Sequence, residues 1–193
     1  MTLDTQFKIN SNINYQRFIR ENPIWYKILN RDPLQFKNFV SEVKDKYELK
    51  NSVCLDLFCG SGNLGIEAIS NGSKLCYFVD NNIKAIRVVE DNLKNLNIKD
   101  NAKVLNFDYK KSLKYFNENN IKFDLIFVDP PYDFHVIEKI IKYVDELNLL
   151  NDNGLLILEF EKEKPEEKYN NLVLIKEKKY SWKYVYIYKK ISN

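Results

Sequence analysis

The feature of this sequence that most constrains its fold is an alternation of short apolar runs with amphipathic segments of helical length. The apolar runs lie at residues 53–58, 75–80, 102–108, 123–129 and 155–160. Strands that are buried on both faces read as near-continuous apolar runs, and strands that alternate with helices form parallel sheets from right-handed βαβ units. The pattern therefore predicts an α/β, Rossmann-like fold with a mostly parallel sheet.

The segments between the runs have the spacing of helices. We expect one helix from the glycine-containing loop to Gly72, and others at 82–96, 110–118 and 136–147. A turn is expected at Asn151–Gly154. The last stretch, 171–191, contains two strand-like runs joined near Tyr180–Lys183, which predicts an antiparallel hairpin at the sheet edge. The complete prediction is a seven-stranded sheet with helices on both faces.

The first 50 residues follow a different pattern from the rest. Pro23 and Pro33 interrupt amphipathic segments there, which predicts short helices packed beside the sheet. We therefore divide the chain into an N-terminal helical extension, residues 1–50, and an α/β domain, residues 51–193.

Composition limits the kinds of partner and location. The net charge of +3, from 30 basic and 27 acidic side chains, permits a nucleic-acid partner but does not require one. Residues 1–18 lack the pattern of a secretory signal, and no apolar run approaches the roughly 20 residues of a membrane helix, so we expect a cytoplasmic, soluble protein. No pair of the three cysteines sits at metal-ligand spacing, and no metal site is predicted.

A glycine-containing loop, 56–65 with the sequence DLFCGSGNLG, follows the first apolar run and opens a helix. Gly60 and Gly62 permit a tight turn, and the helix start directs backbone N–H groups toward a ligand. No Lys-Ser or Lys-Thr follows the glycines, so the loop is not a phosphate-binding P-loop. Asp56 would repel a pyrophosphate but receive a cation, such as the ammonium and sulfonium groups of S-adenosylmethionine.

Two further aspartates end the second and third runs. Asp80 stands where Rossmann-type folds place the acid that accepts hydrogen bonds from ribose hydroxyl groups. Asp108 could meet the amino group of adenine, with Tyr109 packed beside it. The alternative for each is that it only caps the following helix.

The fourth run ends in Asp129-Pro130-Pro131-Tyr132. The Asp129 carboxylate and the Pro130 carbonyl are two acceptors that could hold the two N–H groups of an exocyclic amine. The two prolines stiffen the loop, and Tyr132 offers a face on which a base could stack. The alternative is that the prolines merely stop the strand.

These stretches together resemble the class I S-adenosylmethionine-dependent methyltransferases that modify exocyclic amines. More narrowly, they resemble the bacterial family that methylates guanine N2 in small-subunit ribosomal RNA. The resemblance depends on VCLDLFCGSGNLGIEAISNGS, CYFVDNNIKAIRVVEDNLKNL, FDLIFVDPPYDF and the closing IKEKKYSWKYVYIYKK. The front of the chain departs from that family, because only Arg31, Asp32 and Pro33 loosely match its usual Arg-Pro-Thr segment.

The resemblance implies S-adenosylmethionine as cofactor and ribosomal RNA, or a small-subunit assembly particle, as partner of a monomeric enzyme. The implied catalytic residues are Asp129, Pro130, Pro131 and Tyr132. The implied cofactor-binding residues are Asp56, Phe58, Gly60, Ser61, Gly62, Asp80, Asn81, Asp108 and Tyr109. Two alternatives remain open: an adenine-N6 methyltransferase acting on DNA or RNA, and a non-catalytic, cofactor-binding factor in ribosome assembly.

Overall fold

The computed structural model describes residues 1–11, 13–36, 38–39, 49, 51–130, 134–160, 165–180 and 183–191. The chain divides into two compact units, Met1–Glu48 and Leu49–Asn193. Each unit has a hydrophobic core of its own.

The N-terminal unit is helical. Its elements are α1 (Leu3–Asn10), α2 (Ile13–Glu21), α3 (Ile24–Arg31) and a 3-10 turn (Pro33–Gln35). Both prolines stand at element starts, because a ring that lacks an N–H costs nothing in the first turn. Aromatic rings surround the fully buried Phe39, with Tyr15, Phe18 and Trp25 meeting it edge-on. Short helices are thus confirmed in this region.

The second unit is built on one seven-stranded sheet, as predicted. Its strands are β1 (Val53–Leu57), β2 (Leu75–Val79), β3 (Ala102–Leu105), β4 (Phe123–Val128), β5 (Leu150–Phe160), β6 (Leu172–Tyr180) and β7 (Lys183–Lys190). Their order across the sheet is β3-β2-β1-β4-β5-β7-β6. The first five strands run parallel, and β7 pairs antiparallel with both β5 and β6. The predicted C-terminal hairpin is therefore confirmed.

Four helices connect the parallel strands and cover both faces of the sheet. They are α4 (Asn63–Ser70), α5 (Ile83–Asn95), α6 (Tyr109–Glu118) and α7 (Phe134–Glu146). Side chains of α6 and α7 pack against Leu55 and Leu57 of β1, whereas α4 and α5 pack with Cys54. Because successive strand residues point to opposite faces, Asp56 shares the face of Cys54, beneath α4.

The turn predicted at Asn151–Gly154 is wrong. These residues lie within β5, which begins at Leu150. The register between β4 and β5 shifts after Phe123, which pairs with Leu150, while Leu125 pairs with Leu155. The extra residues form an irregularity in which Asn153 adopts a φ of 64°. Turn-forming residues can stand inside a strand when a bulge absorbs the additional length.

Candidate functional site

The parallel register brings the ends of three strands to one edge of the sheet. Leu57 of β1 lies between Val79 of β2 and Val128 of β4. The next residue after each strand is Phe58 in the glycine loop, Asp80 after β2 and Asp129 after β4. The loop is therefore flanked by one aspartate on each side, at the edge where sheets of this kind bind ligands.

Asp56 is buried below the glycine loop, with only 2% of its surface exposed. Its Oδ2 atom accepts a hydrogen bond of 2.9 Å from the backbone N–H of Gly65, in the first turn of α4. Burial raises the pKa of Asp56 to about 7, and the negative charges of Asp129 and Asp80 add to this against the Gly65 hydrogen bond. The carboxylates of Asp80 and Asp129 thus lie close enough to disfavour the ionisation of Asp56.

The glycine loop has the backbone conformation that the sequence predicts. Gly60 and Gly62 have φ values of 53° and 79°, and Phe58 also adopts a positive φ of 63°. Gly62 directly precedes α4, and a Cβ there would lie 3.2 Å from Phe78 and from Val89. Ser61 is exposed, and its carbonyl accepts a hydrogen bond from Asn92. The glycines thus allow the tight turn of the loop, and a hydrogen bond from Asn92 of α5 holds it in place.

Gly65 has a role that the sequence reasoning missed. A Cβ at this position would lie 2.4 Å from Cε1 of Phe78, so only glycine lets α4 pack this closely on β2. The signal was present, since Gly60, Gly62 and Gly65 have the Gly-x-Gly-x-x-Gly spacing in which the third glycine allows close helix–strand packing.

The Asp80 carboxylate binds backbone N–H groups of the glycine loop and of the segment that leads into α5. Its Oδ2 atom accepts from the Gly60 N–H at 3.1 Å, and its Oδ1 atom accepts from the Asn82 N–H at 2.8 Å. Asn81, between them, is exposed at the same edge. Asp80 therefore orders the glycine loop itself, in addition to any contact with a ribose.

Asp108 caps a helix, which is the alternative considered for it. It is the N-cap of α6, and its Oδ1 atom accepts from the Lys111 N–H at 3.0 Å. Tyr109 begins that helix, and its ring lies 5.9 Å from the ring of Phe58, tilted by 41°. Two of the predicted cofactor residues, Phe58 and Tyr109, are thus brought into contact.

Asp129 and Pro130 directly follow β4. The Asp129 side chain is about half exposed, at 44%, and Pro130 is buried. Pro131 and Tyr132, the other two residues of the motif, lie outside the described residues.

Two residues beside Asp129 were not predicted. Lys183, the first residue of β7, lies 2.7 Å from Glu159 and 3.9 Å from Asp129. Burial raises the pKa of Asp129, as does the charge of Glu159, while Lys183 lowers it. The signal for Glu159 was its place at the end of the fifth apolar run, where the other strand-end acids also stand.

Other chemistries find little support in the described part of the chain. It contains no group of three or more His, Cys, Asp or Glu side chains that could hold a metal ion. Burial raises the pKa of the Cys59 thiol, which disfavours its nucleophilic thiolate form. Among the described residues we find no helix with the length and hydropathy required to cross a membrane.

Two family models match the chain. The model described as Conserved hypothetical protein 95 matches residues 36–189, which include every strand of the sheet except the last residue of β7. A second model, described as YlbE-like protein, matches residues 3–53, and thus the region that departs from the expected start.

Individual relatives extend these matches. A Bacillus subtilis protein provisionally named an rRNA methyltransferase, YlbH, is 38% identical over 137 residues, covering 70% of this chain and 74% of its own. Ribosomal RNA small subunit methyltransferase D of Haemophilus influenzae is 36% identical over 133 residues, covering 67% of each chain. The crystal structure of HI0767 from Haemophilus influenzae, provisionally described as a methylase, has a TM-score of 0.67 at 31% identity, covering 84% of this chain and 98% of that one.

Proposed function

The chain belongs to the Conserved hypothetical protein 95 family of methyltransferases, and we propose that it transfers a methyl group from S-adenosylmethionine to the 2-amino group of a guanine in small-subunit ribosomal RNA. The relatives named as rRNA methyltransferases support the substrate class. The amine and the donor are supported by the site itself and by the motif resemblance.

The observation that carries this proposal is the position of Asp129-Pro130 beside the glycine loop. Val128, the last residue of β4, pairs with Leu57, the last residue of β1, so the motif begins beside the strand that leads into the glycine loop. Asp129 remains about half exposed and can meet a ligand, while Pro130 is buried. An amine donor group placed at Asp129 would therefore lie next to whatever the glycine loop holds.

The residues at this edge fit S-adenosylmethionine. The carboxylates of Asp129 and Asp80 lie close enough to Asp56 to act on its ionisation, so this edge gathers acidic groups and suits a cationic ligand better than a pyrophosphate. Asp80 would accept from the ribose, and Phe58 and Tyr109 offer apolar surface for the adenine. When bound, the sulfonium supplies an electrophilic methyl group, and the product is S-adenosylhomocysteine.

The protein's part in the reaction is positioning. The Asp129 carboxylate accepts one N–H of the exocyclic amine, and the Pro130 carbonyl accepts the other. This arrangement directs the nitrogen lone pair toward the methyl group. It also reduces the delocalisation of that lone pair into the aromatic ring, which makes the amine a better nucleophile. The amine nitrogen gains the methyl group and loses one proton to solvent, so the reaction needs no strong base.

Methyl transfer to defined substrates tests the proposal. The protein is incubated with labelled S-adenosylmethionine and, in parallel, with immature small ribosomal subunits, naked ribosomal RNA or DNA. We expect label in ribosomal RNA, free or assembled. Label in DNA or in adenine would instead establish the adenine-N6 alternative, and cofactor binding without transfer to any of the three would establish a non-catalytic factor.

A further inference from the structure

Lys183 and Glu159 form a charged pair next to Asp129 that the proposed reaction has not yet used. Lys183 Nζ lies 2.7 Å from Glu159 Oε1, within hydrogen-bond distance, and 3.9 Å from Asp129 Oδ1. The Lys183 and Glu159 side chains are both about one-third exposed, so solvent only partly screens their charges.

The sheet register explains why these side chains meet. Val128 pairs with Leu158, so the next residues along the two parallel strands are Asp129 and Glu159. Glu159 in turn pairs with Val185 of the antiparallel β7. Lys183 stands two residues before Val185, on the same face of the sheet, and diagonal neighbours of this kind are within reach of a long side chain. The hairpin thus delivers one cation to two neighbouring carboxylates.

The two distances differ in a way that matters for the proposed reaction. A separation of 3.9 Å is an ion-pair contact but not a hydrogen bond, so Lys183 does not occupy a lone pair of Asp129 Oδ1 through a direct bond. The shorter contact to Glu159 keeps the ammonium at that distance. Asp129 consequently gains a neighbouring positive charge and retains the oxygen that must accept an N–H of the substrate.

We propose that Lys183, held by Glu159, is a positioning residue that keeps Asp129 ionised and oriented toward the substrate amine. A protonated carboxyl is a weaker acceptor toward the amine than a carboxylate, so turnover falls as Asp129 becomes protonated. The charged groups that act on Asp129 from neighbouring elements are Glu159 on β5, Lys183 on β7 and Asp56 on β1. Only Lys183 among these three stabilises the anion. This inference rests on the proposed function.

The test is the pH dependence of kcat/KM for methyl transfer to ribosomal RNA. We expect Lys183→Met to lower kcat/KM at neutral pH at least tenfold and to move the acid limb of the profile to higher pH. Lys183→Arg should restore most of the activity and return the limb toward its wild-type position. Glu159→Gln removes a repelling charge, so its acid limb should move in the opposite direction, to lower pH.

Lys179→Met is the matched control. It removes the same charge from the same hairpin, where Lys179 Nζ lies 5.3 Å from the centre of the Tyr184 ring. A general loss of electrostatic attraction to RNA would raise KM in both lysine variants and leave both acid limbs in place. We expect the limb to move only in Lys183→Met.

A second readout does not depend on turnover. Carboxyl-carbon NMR of Asp129 should show a higher pKa in Lys183→Met and a lower one in Glu159→Gln than in the wild type. Unmoved titrations, or an acid limb of Lys183→Met that coincides with the wild type, would overturn the inference. Absence of methyl transfer by the wild-type protein would instead overturn the proposed function, so the two failures are distinguishable.

Discussion

At the scale of single residues, four aspartates at or near strand ends differ because their surroundings differ. Asp56 is buried and accepts one backbone hydrogen bond, whereas Asp80 accepts two and orders the loop that it faces. Asp108 is exposed and caps a helix. Asp129 is half exposed next to a cation and another carboxylate. These surroundings underlie the roles that we propose, cofactor binding for Asp80 and holding of the amine for Asp129.

Replacement of Asp80 tests its role at this scale. We expect Asp80→Ala to weaken S-adenosylmethionine binding by about tenfold or more, since hydrogen bonds to a charged group contribute roughly 1.5–3 kcal/mol. Part of this loss of affinity comes from the glycine loop, which becomes less ordered because the Gly60 N–H loses its acceptor. Isothermal titration calorimetry measures the affinity.

Asp91→Ala serves as the control, because it removes the same charge from an exposed position on α5. Its affinity should match that of the wild-type protein. If Asp80→Ala binds the cofactor as tightly as this control does, Asp80 is not part of the cofactor site.

At the scale of elements, the predictions succeeded where periodicity and burial agree. The five apolar runs became parallel strands that alternate with helices, and they are buried most deeply in β1, β2 and β4. The hairpin formed from the two strand-like runs near the end of the chain. The turn expected at Asn151–Gly154 failed because local turn preference cannot reveal a bulge, which depends on pairing with β4. Lys183 and Glu159 were missed for a related reason: their contact depends on strand register, which single-strand patterns do not contain.

The packing of α4 on β2 gives a prediction at the element scale. Gly65→Ala places a methyl group 2.4 Å from the Phe78 ring, so α4 must shift outward or the ring must move. We expect a loss of about 1–3 kcal/mol in the free energy of unfolding, as for overpacked cores. Urea denaturation measures it.

Gly60→Ala is the comparison for this experiment. A Cβ at Gly60 would meet nothing within 4 Å, so this variant suffers only the strain of a positive φ, about 1 kcal/mol. Equal losses in the two variants would show that close helix packing is not what requires glycine at position 65.

At the scale of the whole molecule, the chain contains two units that differ in the family model matching most of their residues. The described part of Met1–Glu48 is mainly helical, and the YlbE-like model matches this unit from residue 3 onward, whereas Leu49–Asn193 contains the sheet and most of the methyltransferase match. The candidate site residues all belong to the second unit. Its sheet concentrates negative charge at one edge, although the net charge of the whole chain is +3.

The burial of Asp56 beside other carboxylates predicts how stability depends on pH. The pKa of Asp56 is about 7 in the folded protein and 3.8 as its ordinary value. Because the folded state binds this proton more tightly, the stabilisation is fully present below about pH 4 and is lost as the pH rises through 7. The full change corresponds to about 4 kcal/mol.

Chemical denaturation of the ligand-free protein between pH 4 and pH 8 measures this effect. Asp56→Asn keeps an acceptor for the Gly65 N–H but cannot ionise, so it isolates the contribution of one carboxyl. We expect the stability of the wild type, relative to Asp56→Asn, to fall as the pH rises. A difference that is constant across this range would mean that the Asp56 pKa is not raised.

The most direct test of the central claim is nucleoside analysis of ribosomal RNA after reaction with the wild type and with Asp129→Ala. The account predicts 2-methylguanosine from the wild type and almost none from Asp129→Ala, while calorimetry shows similar S-adenosylmethionine affinity for both. Wild-type levels of methylation by Asp129→Ala would contradict the assignment of Asp129 as the residue that holds the amine. A methylated nucleoside other than 2-methylguanosine would contradict the proposed target.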